Sequence, residues 1–247
     1  MKIRMNINQP NPERFIEQVM NKYHFGINEK QELSDIYNKI MDHVKPYAAY
    51  RINRRVTGIK LIDDSQTALV SMTLGKSIDE LKDEYTKKGE LDKAYMLDCI
   101  TNELLMKLYV EFNNMYAKYH RRYVKRYVFI GDEISTEKIP ELLHEIKETD
   151  KPAQNKKKDG DIKDDLMAFS EEFGSMELVE GASDKKSDNE ITANKYGVLS
   201  PVKSVVFYAV LTENPAQVCE GICENCNNKS CENNPFYVED EDKTKDI

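Results

Sequence analysis

Apolar residues in the first part of the chain recur at spacings of three and four. Phe15, Ile16, Val19 and Met20 fall on one stripe, and Leu33, Ile36, Tyr37, Ile40 and Val44 on a second, so residues 11–45 predict two helices. "FGIN" between them reads as a turn with Asn28 as N-cap, and Pro46 closes the second helix because its ring disfavours the helical region for the residue before it. The period then drops to two. "YAAYRINRRVTGIKLI" (47–62) and "TALVSMTLG" (67–75) read as strands around a "DDSQ" turn. Ser77, with Asp79 and Glu80 behind it, predicts the start of a helix over 77–87. The strongest periodic signal runs from Leu91 to about Tyr119, where Leu97, Ile100, Leu104, Leu105, Leu108, Phe112, Met115 and Tyr116 form a broad apolar stripe. "YVKRYVFIGDE" (123–133) predicts a strand or extended loop, and 136–147 a short helix. "YGVLSPVKSVVFYAVL" (196–211) returns to strand chemistry, its "VVFYAVL" suiting a buried strand.

Strands and helices do not alternate regularly in this order. That predicts an α+β fold, a twisted and mostly antiparallel sheet flanked by long helices. Residues 1–148 and 193–217 are expected to form a single domain. Residues 149–192 differ in composition, being rich in Lys, Asp, Ser and Gly, and are expected to be an acidic, disordered insert. Within it, Leu166, Met167, Phe169, Phe173, Met176 and Leu178 suit either a transient helix or a helix that docks on a partner. Residues 218–234 form a cysteine-rich element and 235–247 an acidic tail.

Charge refines this division. Residues 149–192 carry 12 Asp/Glu against 7 Lys, and 232–247 carry 6 against 2, which more than accounts for the net charge of −8. The remainder is close to neutral, which points away from a nucleic-acid partner. No run approaches the ~18 apolar residues of a membrane span, and the N-terminus has no apolar signal core, so the expected location is cytoplasmic, without a membrane partner.

Four of the five cysteines, Cys219, Cys223, Cys226 and Cys231, have the spacing C-x3-C-x2-C-x4-C. In a reducing compartment this favours metal or redox chemistry over disulfides. Thiolates are the preferred ligands of iron–sulfur clusters and of Zn²⁺, and four complete either site. Structural zinc sites usually divide their cysteines between two separated pairs, so the single run leans towards iron–sulfur. Radical AdoMet enzymes share the C-x3-C-x2-C spacing, but their motif comes early and a partial β/α barrel follows. Only 16 residues, six of them acidic, follow Cys231, so that chemistry is not expected. Cys99, inside the long helix, reads as a small buried hydrophobe. His24, His43, His120 and His144 have no ligand-like spacing, and His120 in "KYHRRYVKR" reads as part of a solvated helix end where cations offset the dipole. No Ser/His/Asp signature, P-loop or G-x-G-x-x-G occurs.

Three segments carry a resemblance. "MTLGKSIDELKDEYTKKGELDKAYMLDCITNELLMKL" (72–108) contains Thr73, Leu74, Gly75, Gly89, Asp92, Ala94, Leu97 and Asp98. "GVLSPVKSV" (197–205) contains Pro201, Lys203 and Ser204, and Cys223, Cys226 and Cys231 are spaced C-x2-C-x4-C. In these residues and in their order the chain resembles the activation-domain family of cobalamin (vitamin B12)-dependent methionine synthase, specifically its small free-standing members. The resemblance covers residues 12–148 and 193–233. It implies a twisted antiparallel sheet with flanking helices, and S-adenosylmethionine (AdoMet) as the methyl donor that remethylates cobalamin after the cobalt has been oxidised and reduced again.

The family's AdoMet loop reads R-x-x-P-G-Y, often followed by G-D. Here "KRYVFIGDEIS" supplies Arg126, Gly131 and Asp132 but no Pro-Gly-Tyr, and the loop is one residue short. The resemblance implies AdoMet contacts at Arg126, Gly131, Asp132, Lys203 and Ser204, and metal ligands at Cys223, Cys226 and Cys231; Cys219 lies outside the family's spacing and joins the ligand candidates on the four-cysteine run alone. The implied function is that of an accessory protein in the reductive reactivation of a methionine synthase or other corrinoid protein, acting within a methyltransferase system of methionine biosynthesis. Cobalamin would sit on the partner, and an iron–sulfur cluster (or Zn) on the cysteines. The alternative is a non-catalytic binding module of the same fold, with structural Zn and with AdoMet binding lost.

Overall fold

In the computed structural model the residues described are 2–5, 7, 11–53, 66–131, 134–148 and 190–217. The chain begins with an edge strand β1 (Lys2–Arg4), followed by helices α1 (Pro12–Tyr23) and α2 (Lys30–His43). The Asn11 side chain caps α1 by accepting from the Arg14 N–H at 3.2 Å, and His24, in the left-handed region at φ 60°, closes it. Asn28 is not an N-cap. It lies inside a 3-10 turn, Ile27–Glu29, that leads into α2, and the Glu29 carboxylate takes the Gly26 N–H at 2.6 Å.

Strands β2 (Tyr47–Asn53) and β3 (Thr67–Thr73) come next, then α3 (Lys76–Lys87) and α4 (Leu91–His120). The residue before α3 is Gly75, at φ 101°, a conformation that L side chains rarely adopt. Ser77 is therefore inside the helix, and its hydroxyl donates to the His43 carbonyl at 2.6 Å, tying the start of α3 to the end of α2. β4 (Tyr123–Phe129), α5 (Ile139–Glu148), a small hairpin of β5 (Thr192–Ala193) and β6 (Leu199–Ser200), and β7 (Ser204–Thr212) complete the elements. The predicted strand over 196–211 is thus two features: a hairpin arm with its Pro201 turn, and a strand that starts at Ser204.

The strands form an antiparallel sheet in the order β1-β2-β3-β7-β4. β7 lies between β3 and β4, so both of its edges are paired and its uninterrupted apolar sequence is accounted for. Helices cover both faces. Ala48, Tyr50, Ala68, Val70, Met72, Phe207, Ala209 and Leu211 face the larger core, with α1 to α4. Ala49, Leu69, Val128, Val206, Tyr208 and Val210 face the smaller one, with Ile139, Leu142, Leu143 and Ile146 of α5 and with Ile191. A register shift between Val124 and Arg126 lets Val124 and Tyr127, three residues apart, face the same core. α4 is the spine of the larger core. Its Leu97, Ile100, Leu104, Leu108 and Phe112 are fully buried, and each side chain of this kind contributes about 1.5–3 kcal/mol.

Candidate functional site

Three distant segments meet where β7 begins. Lys203 precedes the strand and, at 9% exposure, is buried together with its aliphatic stem. By the alternation of β7 it points to the α4 side of the sheet. There its ammonium lies 2.9 Å from Asp98 Oδ1, 2.6 Å from Asn102 Oδ1 and 3.4 Å from the Asp98 carbonyl. Asp98 and Asn102 are one helical turn apart on α4, which is why a single amine reaches both. The second oxygen of Asp98 takes the Lys82 ammonium of α3 at 2.9 Å. Oδ1 is buried and out of line for a hydrogen bond, so its contact with Lys203 is ionic. Burial alone would push the Asp98 carboxyl up, but the two ammonium groups outweigh it and hold it below the ordinary carboxylate range.

The backbone of the same segment is held as firmly. The Lys203 carbonyl accepts from the Leu74 N–H at 3.0 Å and from the Thr73 hydroxyl at 3.3 Å. Ser204 donates to Thr73 Oγ1 at 2.8 Å, and the Gly75 N–H donates to the same oxygen at 3.1 Å. Val202 N–H donates to Asp79 Oδ2 at 2.8 Å; burial raises the Asp79 pKa and this bond opposes the rise. Further along, Asn194 Oδ1 accepts from the N–H groups of Tyr196 and Val198. Gly197 packs so closely on the Thr136 carbonyl that a Cβ would lie 2.2 Å from it.

The residues singled out in "TLG", "LD" and "P-x-K-S" therefore converge. Thr73, Gly75, Asp98, Lys203 and Ser204 form one bonded node, to which the structure adds Asp79, Lys82 and Asn102. The Asp98/Asn102 and Asp79/Lys82 spacings, each one helical turn, were the available signal for these additions. The node is closed chemically: the Lys203 ammonium is held by Asp98 and Asn102, and the Ser204 hydroxyl donates to Thr73.

The other expected contacts are arranged differently. Gly131, at φ 116°, follows β4 and donates its N–H to the Ile134 carbonyl at 2.7 Å. Phe129 pairs with Phe207, so Gly131 is at the same end of the sheet as Ser204. Arg126 pairs with Val210, which puts it six residues, about 20 Å, further along the strand and on the α5 face. Asp132 and the four cysteines Cys219, Cys223, Cys226 and Cys231 lie outside the described residues. Among the described residues no group of three or more His, Cys, Asp or Glu side chains is arranged to hold a metal, and no helix is long and apolar enough to cross a membrane.

A second polar cluster sits at the other end of α4, and sequence reasoning missed it. His120 Nε2 is 2.7 Å from the Tyr50 hydroxyl, and its ring packs at a tilt against Tyr116, with the centroids 4.5 Å apart. Burial, with Arg122 adding to it, lowers the His120 pKa to about 4, so the imidazole is neutral at pH 7. It is a partly buried member of an aromatic group with Tyr50, Phe112 and Tyr116 rather than part of a solvated helix end. No protein-family model matches the chain, and no curated protein is found to be similar to it.

Proposed function

We propose that this chain is an accessory protein for the reductive reactivation of a cobalamin-dependent methionine synthase or a related corrinoid protein. The observation that carries the reading is that five of the residues bearing the resemblance, Thr73, Gly75, Asp98, Lys203 and Ser204, meet in one bonded node at one end of an antiparallel sheet. In this reading the node braces the end of the sheet at which the exposed Gly131 lies, where bare backbone lets a ligand approach. AdoMet would be held there and would supply the methyl group. The four thiols suit an iron–sulfur or Zn²⁺ centre by donor type and number. The test is a methionine synthase without its own activation domain, oxidised to cob(II)alamin and given AdoMet and a low-potential reductant. Return of the methylcobalamin spectrum only when this chain is added supports the reading, and no return with AdoMet-saturated chain defeats it.

Two observations favour the second reading, a binding module that keeps the fold without the AdoMet chemistry. The Lys203 ammonium is bonded internally, and the Pro-Gly-Tyr of the family loop is absent. Calorimetric titration with AdoMet separates the two: binding heat supports the first, and its absence at high ligand, with one Zn²⁺ per chain, supports the second.

A further inference from the structure

We infer that the face where the turn between α1 and α2 meets the first turns of α4 is the contact surface of a two-fold symmetric dimer, its partner being a second copy of this chain. The inference rests on this face alone and not on the corrinoid reading. Phe25, in the turn, lies against Tyr95 of α4 with the ring centroids 5.8 Å apart. Leu91 is one helical turn before Tyr95 and shares its side of the helix, and Ile27 is two residues beyond Phe25. Ile27, Leu91 and Tyr95 are 75%, 64% and 54% exposed. Single apolar side chains scattered over a surface need no explanation, but three beside an aromatic pair form a patch, and such patches mark contact sites. The support beneath is fixed. Lys93 is 2.7 Å from Glu90 and 3.7 Å from Glu32, which ties the start of α4 to the start of α2. Tyr23, at the end of α1, donates its hydroxyl to Glu103 of α4 at 2.8 Å. Aromatic and aliphatic side chains on so rigid a base lose little freedom when they are covered.

The charges around the patch argue for a second copy. Residues 22–32 and 88–95 carry four Lys and four Asp/Glu, so the rim sums to zero. Each of those Lys already has a carboxylate of its own chain: Lys22 with Glu103, Lys30 with Glu17, Lys88 with Glu84 and Lys93 with Glu90. The rim therefore has no surplus charge with which to select a basic or an acidic partner, and it does not repel its own kind. A two-fold contact demands a surface that complements itself, apolar in the middle and balanced at the edge, and this face meets that demand. Three exposed apolar side chains fall short of the about 800 Å² per partner that a stable interface covers, so the dimer is a weak one that forms with concentration.

The experiment is sedimentation equilibrium of the full-length chain, its thiols kept reduced, across roughly two decades of concentration up to the millimolar range. The average mass is expected to rise from the 28.7 kDa of one chain towards twice that value. Leu91→Glu and Ile27→Glu should each raise the dissociation constant about tenfold or more. Both positions are exposed, and an acid in the first turn of α4 suits the helix dipole, so neither change burdens the fold; equal unfolding midpoints check this. About 1 M salt should leave the association in place, because the contact is apolar. Tyr196→Glu, at an exposed aromatic of the β5–β6 hairpin, serves as control. The mass of a single chain at every concentration, association that survives both substitutions, or an equal loss in Tyr196→Glu would each overturn the inference. None of these outcomes bears on cob(II)alamin remethylation, which is read separately.

Discussion

The long helix α4 carries a buried polar cluster near each end, and the two solve the same problem in opposite ways. Towards its N-terminus, Asp98 keeps its charge and is held by Lys203 and Lys82. At its C-terminus, His120 gives up its charge and is held by Tyr50 and the ring of Tyr116. The first solution costs desolvation of ions and recovers it through partners drawn from three segments; the second avoids that cost by staying neutral. An ionic cluster fails badly when one partner is lost, whereas an aromatic one loses only its local contacts.

The largest effect should come from Asp98→Ala. It leaves the buried Lys203 and its neighbour Lys82 without their counter-charge, and a loss of about 3 kcal/mol is expected in urea unfolding. A loss below about 1 kcal/mol would mean that the node is not ionic in solution. Acid should act next, through His120. The unfolded chain takes up a proton near the ordinary value of 6.5 and the folded chain only near 4, so between these the unfolded state binds more protons and stability falls with pH. Allowing for partial exposure, about 2 kcal/mol should be lost across that window, and His120→Phe should flatten the profile there. Asp98, held below its ordinary 3.8, contributes stability above that value and loses it only as pH falls further, so the two clusters should fail in separate pH ranges. Lys203→Met should cost less than loss of Asp98, about 1 kcal/mol, because Asp98 keeps Lys82 and some solvent; equal costs would undo the asymmetry. Smallest is Tyr50→Phe, which removes one hydrogen bond from a ring that stays packed on Phe112 and Tyr116. About 0.5–1 kcal/mol is expected, with a measurable rise in the His120 pKa by NMR titration.

Legibility in the sequence divides along the same line. The elements came through because periodicity is local: the stripe from Leu97 to Tyr116 is α4, and "VVFYAVL" lies within the doubly paired β7. The antiparallel α+β class followed from element order. The terminal details did not, since Asn28 and Ser77 have the chemistry of caps while Glu29 and Gly75 occupy the positions before α2 and α3, a choice made by backbone geometry rather than residue type. "YGVLSPV" looked like strand because its apolar residues alternate, but Gly197 at φ 80° and the pinned Val202 turn it into a hairpin and loop. Five of the node's eight residues were legible through the resemblance: Thr73, Gly75, Asp98, Lys203 and Ser204. Its bonds were not, because Asp98 and Lys203 are 105 residues apart and Tyr50 and His120 are 70 apart. No local pattern encodes partners at that distance.

The position of β7 has a consequence for how the chain comes to be folded. This strand, near the end of the described chain, is the one that joins β3 to β4. Until residues 204–212 have been synthesised, the sheet is two separate pieces, and the apolar faces of β3 and β4 have no common neighbour. Closure of this sheet during translation must therefore wait for residue 212, and a fragment ending at residue 148 should not reach the native sheet. β7 acts as a latch: its synthesis, rather than any early nucleus, sets the moment at which the sheet closes.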